Sequence, residues 1–128
     1  MKREDIEAWM HAALVDVLGL DEDEVTADAR FFHDLDGESI DLLDLSFKCQ
    51  QHFGVNLKLQ DIFRGDFLET DAAGRLTDSA AERLRAAYPF LDVTVIRADP
   101  TADGIKKLLT VDALVAIVDQ ACANAAET

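Results

Sequence analysis

The residue best placed to do chemistry is Ser39, within Asp34-Leu35-Asp36-Gly37-Glu38-Ser39-Ile40-Asp41. It stands where a polar, glycine-containing loop runs into an apolar-periodic segment. A hydroxyl there can act as a nucleophile or as a helix cap. The nucleophile reading needs a base and a strained elbow. Gly37-Glu38-Ser39-Ile40-Asp41 lacks the second glycine of the hydrolase elbow, and no strand-like run precedes it. His52 lies about 20 Å along a helix axis from Ser39. His33 can approach through the loop, but no acid is specified to orient it. The cap reading is simpler, because serine is a favoured N-cap type.

Metal chemistry is disfavoured as well. Asp34, Asp36 and Gly37 hint at a calcium loop. With Gly37 at the sixth position, Phe32 takes the first and Leu43 the twelfth, and neither supplies an oxygen ligand. Cys49 and Cys122 have no Cys-x-x-Cys or Cys/His spacing that would suggest zinc. The residues therefore assign no catalytic group and no metal ligand, and the chain is not expected to be an enzyme.

The element that must position Ser39 is a helix over 39–53, stopped by Gly54. At about 100° per residue from Ser39, Leu42, Leu45, Ser46, Cys49 and Phe53 fall on one stripe, at roughly 240–340°. Ile40, Leu43 and Phe47 form a second stripe at roughly 40–100°. Asp41 and Asp44 border the second stripe. One stripe suffices to dock a helix on a core. The other is either covered by more chain or kept for a partner.

Charge narrows the partner. The 128 residues carry a formal net charge of −14. Up to Leu57 there are 14 acidic and 4 basic residues, against 12 and 8 from Lys58 onward. Such a surface repels nucleic acid phosphates and anionic membranes. It favours a partner with a basic patch, in a contact that weakens with salt. No apolar run approaches 18 residues, so no membrane span is expected. The N-terminus runs straight into an amphipathic pattern, with nothing like a signal peptide. The two unframed cysteines suit a reducing compartment, the cytoplasm.

Asp34 to Leu45 resembles the phosphopantetheine attachment region of acyl carrier proteins. That family shows an Asp-Leu-Gly-x-Asp-Ser-Leu-Asp pattern, then an acidic, apolar helix ending in Glu-Phe-Gly. Here the ending is His52-Phe53-Gly54, Glu38 and Ile40 flank the serine, and Asp36 stands where glycine is usual. The resemblance implies that Ser39 carries a 4′-phosphopantetheine arm through a phosphodiester, with an acyl chain on the terminal thiol. It implies that Glu38, Ile40, Asp41, Leu43, Asp44 and Phe47 meet partners: a phosphopantetheinyl transferase, a ketosynthase and other acyl-chain enzymes with basic docking patches. It covers about residues 4–57 and 104–123.

The rest of the chain follows from periodicity. Ile6, Trp9, Met10, Ala13, Leu14, Val17 and Leu18 predict a first helix over 3–18, stopped by Gly19. Residues 20–38 read as a loop, with Asp21–Glu24 as a solvated face and Phe31, Phe32 and Leu35 as its apolar pins. A last helix is expected over 110–124, capped by Thr110, with a short helical turn at 105–109 before it and a frayed end over 125–128. Between them, 57–103 exceeds what a carrier requires and reads as an insertion within a single domain, 1–128. It allows a short helix over 56–64 and a small hairpin over 66–77, turning at Asp71–Gly74. A clearer helix over 78–87 is capped by Thr77 or Asp78, and an extended segment is expected at 91–96. The insertion enlarges the core, shields the arm or its cargo, or forms a second recognition surface.

The expected fold class is thus an all-α, acyl-carrier-like helical bundle with an inserted segment. The expected function is a monomeric acyl carrier in fatty-acid-like or polyketide-like synthesis. Two rivals stay open. One is a helical adaptor without a prosthetic group, in which Ser39 is only a cap. The other is an aminoacyl or peptidyl carrier.

Overall fold

A computed structural model describes residues 2–63 and 65–126, with Gly65, Asp66 and Ala126 in backbone only. Its α-helices are α1 (Arg3–Leu18), α2 (Ser39–Phe53), α3 (Asp78–Ala87), α4 (Thr94–Ala98), α5 (Ala102–Leu108) and α6 (Val111–Ala126). Short 3-10 turns occupy Glu22–Glu24, Leu59–Phe63 and Gly65–Leu68. The described residues contain no sheet, only two isolated antiparallel bridges, Arg30 with Thr110 and Thr70 with Leu76. The protein is an all-helical bundle, as the periodicity predicts.

Each main helix forms where its apolar spacing and its ends agree. α1 ends at Gly19 and α2 at Gly54, both left-handed (φ 65° and 69°), the conformation that glycine adopts without steric cost. α1 packs on α2 and α6. Ile6, Met10 and Leu14 meet Leu42 and Leu45 from α2 and Leu114 and Val118 from α6, all fully buried in one core. Each such aliphatic side chain contributes about 1.5–3 kcal/mol by leaving water. Arg3 adds ion pairs to Asp112 (3.0 Å) and Asp119 (3.7 Å) across the α1–α6 seam. These pairs are exposed, worth about 0–1 kcal/mol each, so the apolar seam decides the packing.

Residues 57–103 join this core. Leu59, Ile62, Leu76, Leu84, Leu91 and Ile96 are buried with the residues above. The Leu59–Phe63 turn packs against both α2 and α5, in place of the helix expected over 56–64; Arg64 lies outside the described residues. α3 matches its expected bounds, and the choice of cap falls on Thr77, whose hydroxyl accepts the Ala80 amide at 3.0 Å. α6 starts beyond Thr110, which accepts the Ala113 amide at 3.0 Å. It runs to Ala126, past the expected bound of 124. Glu127 and Thr128, from the end expected to fray, also lie outside the described residues.

Two expectations need correction. The hairpin reduces to its turn and one bridge. Asp71 gathers the amides of Ala73 (2.9 Å) and Arg75 (3.0 Å) as expected of a turn. The Asp71 amide donates to Arg75 O (2.8 Å) and the Thr77 amide to Glu69 O (3.0 Å) across that bridge, but Phe67 and Leu68 coil into a 3-10 turn, so the pairing extends no further. The extended segment at 91–96 is instead the entrance to α4. The Thr94 amide donates to Asp92 Oδ1 (3.1 Å), and Val93 and Ile96, three apart, are both buried. The core thus imposes a helical period on β-prone residues.

Candidate functional site

The loop before Ser39 is held from within. Phe31 is fully buried, and its amide donates to Leu109 O (2.7 Å). Asp34 Oδ2 accepts the Arg30 amide (2.7 Å), closing the loop on itself. Asp36 takes a left-handed conformation (φ 57°), which aspartate tolerates better than most residues. Gly37 then lies against Phe31: a Cβ at Gly37 would fall 2.4 Å from a ring carbon. The space allows only glycine, and it brings the chain into α2 with Ser39 on the surface.

Ser39 is not the cap of α2. It is the first helical residue, and Glu38 holds the N-cap position. The Glu38 amide donates to Asp41 Oδ2 at 2.8 Å, so a side chain in the first turn closes the helix start. The Ser39 side chain is exposed and makes no hydrogen bond to a described residue. The start of α2 therefore does not depend on the Ser39 hydroxyl.

Neither histidine activates it. His33 Nε2 faces Asp103 Oδ1 on α5 at 3.1 Å. His52 stacks on Trp9 at the other end of α2, with ring centroids 5.5 Å apart. Among the described residues, no three His, Cys, Asp or Glu side chains gather to hold a metal. No described helix is long and apolar enough to cross a membrane.

The two stripes of α2 separate as their angles require. Leu42, Leu45, Ser46 and Cys49 are buried, and Phe53 is partly so. Burial pushes the Cys49 thiol up to about 12, with Cys122 adding to the rise, so it stays protonated and inert. Ile40, Leu43 and Phe47 remain 68, 56 and 58% exposed. The described residues of 57–103 therefore leave this stripe bare. Glu38 and Asp44 are exposed and Asp41 half-buried at its edge.

A groove of about 680 Å³ runs beside the bare stripe, lined on α2 by Ile40 to Gln50 and opposite by Lys58 and Gln60. Its far wall was not legible in the sequence. Ser46 makes that wall: its hydroxyl donates to Leu42 O (2.8 Å), accepts the Leu59 amide (2.9 Å) and lies 3.2 Å from Gln60 Oε1. Gln50 Nε2 adds a bond to Leu57 O (2.7 Å). A serine on an otherwise apolar stripe was the available signal. Its partners arrive only once the chain reverses at Gly54.

The family model described as a phosphopantetheine attachment site matches residues 8–66. The chain is 37% identical over 62 residues to the acyl carrier protein of Petrotoga mobilis, covering 48% of this chain and 73% of that protein. It is 39% identical over 57 residues to the acyl carrier protein of Rubrobacter xylanophilus, covering 44% and 70%. It is 35% identical over 60 residues to that of Thermotoga maritima, covering 47% and 74%. No solved structure matches. With a serine at the head of an acidic, half-bare helix, and with relatives matched over about seven-tenths of their length, the chain belongs to the acyl carrier protein family.

Proposed function

We propose that Ser39 carries a 4′-phosphopantetheine arm in phosphodiester linkage and that the protein holds acyl intermediates on that arm during fatty-acid-like or polyketide-like synthesis. The carrying observation is the exposed Ser39 hydroxyl, which makes no hydrogen bond to a described residue while Glu38 and Asp41 close the helix start. The residues present fit the group. A phosphodiester at Ser39 would sit at the N-terminus of a four-turn helix, where unpaired amides and the helix dipole favour negative charge. When bound, the arm supplies a thiol that holds an acyl group as a thioester.

The chain's own residues supply position and recognition. Gly37 and Phe31 fix the loop so that the hydroxyl faces solvent. Among the described residues no base touches Ser39, and the proton lost on loading goes to a base of the transferase. Ile40, Leu43 and Phe47 offer a small apolar contact, and Glu38, Asp41 and Asp44 surround it with negative charge. Such a border speeds encounter with basic partners, while the small area permits release. The partners proposed are a phosphopantetheinyl transferase, a ketosynthase and other acyl-chain enzymes, in the cytoplasm.

The test is intact mass after incubation with coenzyme A and a permissive transferase. The wild-type chain gains one phosphopantetheine, and Ser39→Ala gains none. A wild type that stays unmodified, or an alanine variant that is modified, would overturn the proposal.

A further inference from the structure

We propose that Phe63 and Asp103, near the two ends of 57–103, are positioning residues for Ser39 and act on it through Phe32 and His33. This rests on the reading that Ser39 is the residue loaded. It gives 57–103 a task beyond enlarging the core.

The loop before Ser39 is a closed turn. The Asp34 and Leu35 amides donate to Arg30 O (2.9 and 3.1 Å), and the Gly37 amide donates to Phe31 O (2.9 Å). Phe31 thus holds Gly37, two residues before Ser39, by both its carbonyl and its ring. Backbone bonds pin the entry to this turn: the Phe31 amide to Leu109 O (2.7 Å) and the Val111 amide to Ala29 O (2.9 Å). Beyond Phe31, side chains hold it. Leu35 is buried, and Phe32 and His33 reach out to other elements.

Both of those contacts lead to 57–103. Phe32 meets Phe63 edge-on (5.6 Å, 82°) as it meets Phe31 (5.0 Å, 85°), so three rings connect the Leu59–Phe63 turn to Gly37. Lys106 Nζ sits over the Phe32 ring, 5.2 Å from its centroid. His33 Nε2 faces Asp103 Oδ1 at 3.1 Å. A carboxylate only accepts, so Nε2 carries the proton and donates. Asp103 is itself held: its Oδ2 lies 3.8 Å from Lys107 Nζ, which pairs with Asp99 at 2.7 Å. The turn before α5 is tied in turn to the entrance of α3, where the Leu76 amide donates to Pro100 O (2.8 Å).

These contacts suit positioning better than stability. The His33–Asp103 pair is partly exposed, and such pairs add little to folding. Edge-to-face rings favour particular geometries, so they fix a place as well as burying area. A displacement of about 1 Å at a reacting group can slow transfer by about 10²-fold, so a weak contact can matter to the rate.

Loading kinetics with coenzyme A and a permissive transferase test this, beside amide spectra of the isotope-labelled chain. Phe63→Leu keeps apolar bulk without the ring edge, and Asp103→Ala removes the acceptor of His33. Each should lower kcat for loading several-fold and leave KM nearly unchanged, because the α2 face is untouched. The double variant should lose about tenfold. Asp103→Asn, which keeps an acceptor, should restore most of the rate. The amides of residues 36–39 should shift in Phe63→Leu and in Asp103→Ala. A rise in KM at unchanged kcat would place the two residues on the docking surface and overturn positioning. Leu84→Ala is the control, in α3, which packs against the Gly65–Leu68 turn. An equal loss of kcat there would trace the effect to general loosening and overturn the proposal too. Unchanged rates, with amide shifts that stop at Phe32 and His33, overturn the brace and leave the carrier intact. Absence of any mass gain in the wild type overturns the carrier reading and the positioning with it.

Discussion

The amide of Glu38 donates to the carboxylate of Asp41 at 2.8 Å, and this bond closes the start of α2 beside a serine that takes no part in it. Asp41 therefore has a structural duty that its acidic border position conceals. Removing an N-terminal capping interaction costs about 0.5–2 kcal/mol. Asp41→Ala should lower unfolding free energy by about 1 kcal/mol in urea titrations. Ser39→Ala should change it by less than about 0.5 kcal/mol, because an exposed hydroxyl without a partner is lost. A serine variant as destabilised as the aspartate variant would count against this division of labour.

The same bond dictates how the acidic border is tested. Asp41→Lys confounds charge with capping, whereas Asp44 is exposed and one turn further on. Asp44→Lys should raise the KM of the transferase for the carrier at low salt and leave kcat nearly unchanged. The difference should shrink as salt shortens the screening length from about 30 Å at 0.01 M to about 8 Å at 0.15 M. A KM that is unmoved at low ionic strength would remove Asp44 from the docking surface.

Gly37 offers a steric test of the loop. A Cβ there meets Phe31 at 2.4 Å, and the ring is fully buried, so it cannot swing into solvent. Gly37→Ala should cost about 1–3 kcal/mol, as overpacking does. It should also slow loading at Ser39 under conditions where the variant remains folded, since the loop must shift. Unchanged loading kinetics with reduced stability would separate the loop's packing from its positioning role.

Residues 57–103 have their own acid signature. Thr77 and Arg83 hold Glu69 below the usual carboxylate range, the Arg75 amide does so for Asp71, Arg85 for Glu82, Thr94 for Asp92 and Lys107 for Asp99. A lowered folded value stabilises above the unfolded value, near 4, and is lost as pH falls through the folded one. Acid should therefore loosen residues 57–103 ahead of the α1–α2–α6 core. Hydrogen exchange at pH 3 should give amides of α3 and α4 less protection than those of α1. Equal loss of protection in both regions would refute the order.

How far the sequence carried depended on whether a signal was local. The bounds of α1, α2 and α3 follow from apolar spacing with a glycine or threonine at an end, all within a few residues of one another. The bare stripe of Ile40, Leu43 and Phe47 was legible as a stripe, but its exposure depended on where residues 57–103 fold. The groove wall was not legible, because Ser46 joins Leu59 and Gln60 only after a chain reversal. α4 was misread for a similar reason. Val93 and Ile96 face the core at helical spacing, and tertiary burial overrode their preference for extended backbone. At Ser39 the residue type suggested a cap, and only the Glu38–Asp41 bond relieved it of that role.

Cys49 gives a last prediction, at alkaline pH. Burial holds its thiol proton up to about 12, against 9.0 for an ordinary cysteine. Between those values the folded chain binds a proton that the unfolded chain has released, so stability must fall as pH rises. One such group lowers unfolding free energy by at most about 1.4 kcal/mol per pH unit. Burial also raises Cys122 and Tyr88, which steepen the fall above their own ordinary values. Urea midpoints measured from pH 8 to pH 10.5 should decline in the wild type. In Cys49→Ala the midpoint at pH 8 is lower, because a small cavity is left, but the decline between pH 9 and 10 should be shallower. The slope isolates the thiol from the packing, since a cavity costs the same at every pH. An identical slope in both proteins would mean that Cys49 reaches solvent in the folded state, and the buried stripe of α2 would then have to be looser than its packing indicates.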